Sequence, residues 1–351
     1  SPHNYFQLCL NYANALFAAW SVGEETDIEK IVSNYKLARS QHGYLGPNSD
    51  VHIDLQLARI TLRRVEFDSK NLNKCAVTDD ELIQVSTSLT DFVRINDPTA
   101  DLTRLAVLTV ESLEQIGRTS EQAYELVNPM LQALAEEAED CGSARIYVAC
   151  LKGIAWSELF PPNKVEKNET GCKRALDCLN RAARVTSMLP ESEQMDVEVL
   201  YALCLCELSE FRPKLVETAI RAFAKILDYA RANEHLFFEL ISLHALSVLF
   251  SVRDTVEFAQ NVSYAESFFE AALEKAKEFG NDGLYEMIVS NRSTLDFDAI
   301  HVRPQTNIED LFHQFEAQRD EKGAVEERSL TDLLNEAATL SDFAGQTGDP
   351  K

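Results

Sequence analysis

The sequence predicts an all-α protein on the strength of three observations. Apolar residues recur at helical spacing along most of the chain, in segments of about 15 to 20 residues. Glycine (12) and proline (10) are scarce among the 351 residues, whereas hairpin-rich β folds and phosphate-binding loops need glycine. Hydrophobic residues make up 45% of the chain, which is enough for a packed core and excludes wholesale disorder.

The predicted helices come in pairs, each an apolar helix followed by a more amphipathic one. The first helices are predicted over Tyr5–Trp20, Val51–Phe67, Leu102–Gly117, Ala144–Phe160, Asp196–Phe211, His235–Val252 and Gly283–Asn291. The second helices are predicted over Asp27–Gln41, Asp79–Phe92, Ser120–Asp140, Cys172–Met188, Pro213–Ala232 and Val256–Phe279. Side chains suited to N-capping stand at some starts, such as Thr26, with Glu29 three residues later, and Ser120.

The pairs repeat, with starts about 40 to 52 residues apart, a spacing close to that of helical-hairpin arrays. Some second helices also carry alanines and an aromatic residue at the spacing of tetratricopeptide packing, as in Ala265, Phe269, Ala272 and Leu273. We therefore predict a tetratricopeptide-like helical-hairpin solenoid over residues 1–293. The alternative is an ordinary packed bundle, in which alanines and aromatic residues at helical spacing are also common.

The chain changes in character after Ser293. Residues 294–305 lack helical periodicity and are predicted to be a connector. Two shorter helices, Ile308–Arg319 and Glu326–Leu340, predict an acidic helical hairpin over residues 306–344 that packs on the array as an end cap. Residues 345–351 are predicted to be a flexible tail.

The charge and the cysteines bound the classes of partner and the compartment. The chain has 57 Asp and Glu residues against 33 Lys and Arg, a formal net charge of −24. This charge repels a phosphate backbone, so we expect no direct nucleic-acid ligand. The longest apolar run, Val199–Cys206, is far shorter than the roughly 18 residues of a membrane span, so we expect no membrane partner. The eight cysteines mostly occupy apolar helical positions, which predicts buried thiols and a reducing compartment.

The sequence holds no glycine-rich phosphate loop, metalloprotease motif or nucleophile elbow. We therefore predict a non-enzymatic protein with no catalytic residue, no cofactor and no metal site. An unrecognised hydrolase would instead need a pocket of converging titratable groups. The expected functional surface binds another protein.

One basic cluster stands out against the acidic background. Arg59, Arg63 and Arg64 lie on the predicted helix Val51–Phe67, with Arg59 and Arg63 four residues apart on one face. Arginine is enriched at interface hot spots, and such a cluster could receive an acidic partner segment. The alternative is internal pairing with a nearby carboxylate such as Glu66.

Several segments together resemble a known family. They are LARITLRRV at 57–65, Ile95–Asp97 followed by Leu105–Gly117, the helices Cys172–Met188 and Asp196–Phe211, and LEKA at 273–276 before Gly283. In this order they resemble the fungal enhancer of translation termination and its relative, the negative regulator of an Ofd-type prolyl hydroxylase. The segments Ile308–Phe315 and Leu330–Leu340 resemble the start of that family's helical region. The resemblance therefore implies a permuted order, with this hairpin beside Tyr5–Trp20.

The resemblance also implies a function. It implies a nuclear, and also cytoplasmic, adaptor that binds and inhibits an Fe(II)/2-oxoglutarate-dependent prolyl hydroxylase-like dioxygenase. Such an adaptor controls transcription-factor stability in response to oxygen, and roles with nuclear-import machinery and in translation termination are further expectations. The alternative is a structural scaffold subunit in which the helical array is a permanent interface of a larger complex.

Overall fold

The computed structural model describes residues 2–21, 27–40, 47–70, 78–95, 98–162, 168–252, 258–280 and 282–293. This part of the chain is helical and contains no strand, which confirms the all-α class. The α-helices are α1 (Pro2–Ser21), α2 (Ile28–Arg39), α3 (Pro47–Lys70), α4 (Asp79–Val93), α5 (Ala100–Gly117), α6 (Glu121–Asp140), α7 (Ala144–Leu159), α8 (Glu169–Ala183), α9 (Glu191–Ser209), α10 (Val216–Ala232), α11 (Leu236–Val252), α12 (Phe258–Phe279) and α13 (Asp282–Ser293). The predicted connector, acidic hairpin and tail over residues 294–351 lie outside the described residues.

The chain divides into two compact units, Ser1–Glu166 and Lys167–Lys351. In the first unit, α1 packs against α2, α3 against α4, and α5 against α6. The first helices of successive pairs also touch, α3 with α5 and α5 with α7, and so do the second helices α4 and α6. The helices α3, α5 and α7 therefore lie side by side in this unit.

In the second unit, each of the helices α8 to α13 packs against the next one in the chain, and α9 also contacts α11. Large aromatic side chains fill the core of this unit. Phe223, Phe250, Phe268 and Phe269 are all less than 3% exposed, and the rings of Phe250 and Phe268 stack with centroids 5.7 Å apart. The prediction of one array over residues 1–293 stays a prediction.

Local signals place several helix starts. Ser120 caps α6 as expected, because its side chain accepts a hydrogen bond from the backbone N–H of Ala123 at 3.1 Å. Asp27, rather than Thr26, is the cap of α2, since its carboxylate accepts from the N–H of Glu29. Thr78 and Glu81 form a reciprocal capping box at α4.

One predicted start is wrong by five residues. We predict the ninth helix from Asp196, but α9 begins at Glu191, directly after Pro190. The first turn of α9 carries Glu191 and Glu193, and carboxylates at this end of a helix are stabilised by the helix dipole. An apolar pattern does not detect a polar first turn, which explains the difference.

Most of the described cysteines are core residues, as predicted. Cys9, Cys150, Cys172, Cys178 and Cys204 are buried, whereas Cys206 is half-buried and Cys141 is exposed. Burial raises the pKa of the Cys204 thiol, whose sulfur lies 3.2 Å from the carbonyl oxygen of Cys172. None of the described helices is long and apolar enough to cross a membrane.

The core of the second unit supplies a first prediction. Phe223 is fully buried. Its replacement by alanine leaves a cavity that the close-packed helices around it cannot fill. We expect Phe223→Ala to lower the free energy of unfolding by about 3–5 kcal/mol. Met188→Ala is the control, because Met188 is 71% exposed and its replacement should change stability by about 0.5 kcal/mol or less. Urea-induced unfolding followed by circular dichroism measures both, and equal losses would contradict the burial of Phe223.

Candidate protein-binding face

The predicted arginines lie on α3, in the first unit. The side chains of Arg59 and Arg63 are half-buried. Arg64 belongs to the same helix, but its side chain lies outside the described part of the structure. A role for the three arginines in partner binding stays a prediction. The residues around Arg59 and Arg63 determine the polarity and the burial of the face on which these two lie.

Helix α3 buries two opposite flanks. Ile53 and Ile60 on one flank belong to a core cluster with α1 and α2, which includes Phe17 and Tyr35. Leu55 and Leu62 on the other flank are 0% and 1% exposed. With 3.6 residues per turn, these flanks lie on opposite sides of the helix and leave two narrower faces between them.

One of the two faces is a polar row that we call the α3 stripe. It consists of His52, Gln56, Arg59 and Arg63, whose spacing of four, three and four residues places them on one line along the helix. The atoms Nε2 of His52, Oε1 of Gln56 and Nε of Arg59 are buried and have no hydrogen-bond partner among the described residues. Buried polar atoms are normally paired, and an unpaired one costs about 1–3 kcal/mol. Three such atoms occupy consecutive positions of the stripe.

Arg59 also contacts residues of the neighbouring core. Its guanidinium carbon lies 5.4 Å from the centre of the Phe17 ring, in a cation–π contact with α1. Burial and the neighbouring charge of Arg63 lower the pKa of Arg59 below its ordinary value. The nearby Tyr35 raises the pKa of Arg59 and so offsets part of this shift. The hydroxyl of Tyr35 donates a hydrogen bond to Oδ1 of Asn14. Arg59 is thus anchored in the core while its Nε donor stays unpaired.

His52 links the stripe to the next helix. Burial lowers the pKa of His52 below its usual value of 6.5, and the Asp101 carboxylate of α5 offsets part of this shift. His52 is therefore neutral at pH 7 and carries one donor and one acceptor nitrogen. The stripe combines a neutral imidazole, an amide and two guanidinium groups.

A cavity of about 280 Å³ lies on the other face of α3, between α2 and α4. Asp54, Leu57, Ala58 and Thr61 line it from α3, about half a helical turn away from the stripe. Its carboxylates already have partners, since Asp54 pairs with Arg39 at 2.7 Å and Glu81 belongs to the capping box. The carboxylates that line the cavity are therefore paired, unlike the three buried polar atoms of the stripe.

A second polar group lies where α5 and α7 end. Glu114 is buried and pairs with Arg118 through two contacts of 2.6 and 2.8 Å. Arg118 lies over the Trp156 ring at 5.0 Å, and the buried Trp156 Nε1 has no hydrogen-bond partner in the described structure. A side chain at Gly153 would crowd Glu114, because a Cβ there would lie 3.0 Å from Cγ of Glu114. This glycine lets α7 approach α5 at the ion pair.

Charge is divided between the helices of the first unit. The second helices α4 and α6 carry ten acidic residues and no Lys or Arg. The described basic side chains of α3, α5 with its cap, and α7 are Arg59, Arg63, Arg104, Arg118, Arg145 and Lys152. They balance six acidic ones on the same helices, two of which, Glu114 and Glu158, are buried. The row of first helices is therefore the less acidic side of this unit.

Sequence reasoning found the arginines of the stripe but missed His52 and Gln56. The available signal was their spacing, because both lie on the line that Arg59 and Arg63 define. No group of three or more His, Cys, Asp or Glu side chains among the described residues is arranged to hold a metal ion. The chemistry that the face offers is hydrogen bonding and charge pairing.

The two arginines of the stripe should differ in their effect on stability. Arg59→Glu places a carboxylate against Phe17 and beside Tyr35, where burial disfavours charge, so we expect a loss of about 2–4 kcal/mol in the free energy of unfolding. Arg63→Glu should change it by about 1 kcal/mol or less, since the structure gives Arg63 no such ring contact. Urea titrations of both variants test this, and similar losses would contradict the anchored position of Arg59.

Glu114 predicts a pH dependence. Burial raises the pKa of Glu114 from 4.5 to about 7, although Arg118 opposes the shift. Between these two values the folded protein keeps a proton that the unfolded chain has released, so stability falls as pH rises from about 4.5 to 7. Glutamine does not titrate. The stability of Glu114→Gln relative to the parent protein should therefore increase over this range by as much as about 3 kcal/mol. Denaturant titrations at pH 5, 6, 7 and 8 measure the difference, and a constant value contradicts the prediction.

Comparison with known proteins leaves the family open. No protein-family model matches the sequence. No curated protein matches it. The resemblance to the enhancer of translation termination therefore rests only on the residues that suggested it.

Proposed function

We propose that this chain is a non-enzymatic adaptor that binds and inhibits an Fe(II)/2-oxoglutarate-dependent prolyl hydroxylase-like dioxygenase. The observation that carries the binding role is the α3 stripe, with three buried polar atoms that lack partners within the described fold. The resemblance to the negative regulator of an Ofd-type prolyl hydroxylase supplies the class of partner. On this proposal the protein acts in the nucleus and restrains oxygen-dependent control of transcription-factor stability. Nuclear import of the dioxygenase and a role in translation termination belong to the same proposal.

We further propose that the helices form a tetratricopeptide-like array. The contacts of the first unit support this, since α3, α5 and α7 touch in series while α4 and α6 touch behind them. Stacked hairpins of this kind present one row of first helices to a partner protein. The α3 stripe, with its arginines, lies on such a row.

The stripe supports binding rather than catalysis. Its groups are two guanidinium ions, a neutral imidazole and an amide. Acyl or phosphoryl transfer needs a nucleophile with a base beside it, or a metal ion, and the stripe supplies neither. Its donors and acceptors are those that pair with carboxylates and peptide groups.

Affinity purification from host cells tests this proposal. The tagged full-length protein is isolated from cells grown at high and at low oxygen, and the bound proteins are identified by mass spectrometry. We expect a 2-oxoglutarate-dependent dioxygenase in substoichiometric amount, with recovery that depends on oxygen. A fixed set of subunits in constant ratio at both oxygen levels would contradict the adaptor and support the scaffold alternative.

A pair of matched variants shows whether the stripe is the contact surface. Arg63→Glu reverses a charge on the stripe, and Arg184→Glu makes the same change at an exposed position after α8, in the other unit. We expect Arg63→Glu to lower recovery of the dioxygenase about tenfold, because a charge-assisted contact is replaced by repulsion. Arg184→Glu should leave recovery unchanged. Equal recovery with both variants would show that the partner binds elsewhere.

A further inference from the structure

The spacing of the two arginines on the α3 stripe suggests the chemistry of the bound segment. Arg59 and Arg63 are four residues apart on a helix, a rise of about 6 Å. In an extended chain, side chains that share one face are two residues apart, a distance of about 6.6 Å. Two carboxylates in the order acidic-x-acidic on an extended segment therefore match the two guanidinium groups.

The other groups of the stripe match the backbone of such a segment. Oε1 of Gln56 can accept a hydrogen bond and Nε of Arg59 can donate one. The ring of neutral His52 has one donor nitrogen and one acceptor nitrogen. An extended peptide carries N–H and C=O groups without internal partners and can supply both. A helical segment has already used these groups within itself.

The length of the stripe sets the size of the segment. From His52 to Arg63 the helix rises eleven residues, or about 16 Å. An extended chain covers this distance with about five residues. A five-residue contact suits a short linear motif in a partner protein.

We propose that the α3 stripe binds an extended acidic segment of a partner protein, with alternate carboxylates on Arg59 and Arg63 and backbone groups on His52 and Gln56. The inference rests on the proposed adaptor function, and it names the chemistry of the partner at that site. Charge complementarity favours this occupant over a basic or neutral one, because the stripe carries two cations and no carboxylate. Guanidinium groups also bind carboxylates through paired hydrogen bonds.

Fluorescence anisotropy with labelled synthetic decapeptides tests this proposal on the full-length chain. The first peptide alternates alanine and glutamate, and the second alternates alanine and glutamine. The third, AEEAAEEAAE, has the composition of the first, but no two of its glutamates lie two residues apart. We expect the alternating acidic peptide to bind at least about tenfold more tightly than the glutamine peptide. It should also bind more tightly than the third peptide, which has no acidic-x-acidic pair.

Variants of the stripe locate the binding site. Arg63→Glu should weaken binding of the alternating acidic peptide about tenfold or more, and Gln56→Leu should weaken it about threefold. Arg184→Glu, with the same change in net charge, should leave it unchanged. If Arg63→Glu alters the circular dichroism spectrum, Arg63→Gln takes its place, because it removes the charge without reversing it.

Several results would overturn the proposal. They are equal affinity for the glutamate and glutamine peptides, equal affinity for the alternating peptide and AEEAAEEAAE, no measurable binding, and no effect of Arg63→Glu or Arg63→Gln. The peptide assay contains no dioxygenase, so its result is independent of the affinity purification. Peptide binding without a dioxygenase in the purification would retain the site and reject the proposed function. The reverse outcome would retain the function and reject this site.

Discussion

The candidate site depends on the burial of both flanks of α3. Ile53 and Ile60 are held in the core with α1 and α2, while Leu55 and Leu62 are buried on the opposite side. Each such side chain contributes about 1.5–3 kcal/mol by leaving water, which is comparable to the cost of an unpaired buried polar atom. Four apolar anchors therefore outweigh three unpaired polar atoms, and α3 cannot rotate to give His52, Gln56 and Arg59 better partners.

This balance explains why a row of unpaired polar groups persists in a well-packed unit. The cavity on the other face of α3 shows that the same helix can satisfy its polar residues, because Asp54 finds Arg39 at 2.7 Å. The stripe lies on the face where Arg59 contacts the Phe17 ring, and Nε of Arg59 has no hydrogen-bond partner among the described residues. The fold therefore fixes the positions of the stripe groups, which would reduce the entropy lost if the proposed partner binds there.

The sequence predicts the helices well because each one has an apolar face of its own. Ser120 and the apolar residues of α6 are enough to place that helix, whereas the polar first turn of α9 carries no apolar signal and was missed. The site is harder to predict, because periodicity identifies a face of a helix but not the helix that covers it. His52 and Gln56 have the sequence pattern of a solvated face, whereas one polar atom of each is buried in the structure. The division into two units at Glu166 likewise depends on contacts between helices that periodicity does not reveal.

The formal net charge of −24 repels an acidic ligand, whereas the proposed ligand of the stripe is acidic. The distribution of charge over the helices explains how both statements hold. The ten carboxylates of α4 and α6 belong to the second helices of the first unit, and packed helices are separated by about 8–10 Å. At physiological ionic strength the Debye length is about 8 Å, so charges one helix layer away act weakly through solvent. The half-buried arginines of the stripe are screened much less, because water and ions have limited access to them. On the proposed function, the local charge of the two arginines therefore outweighs the net charge of the chain for a short acidic segment at α3.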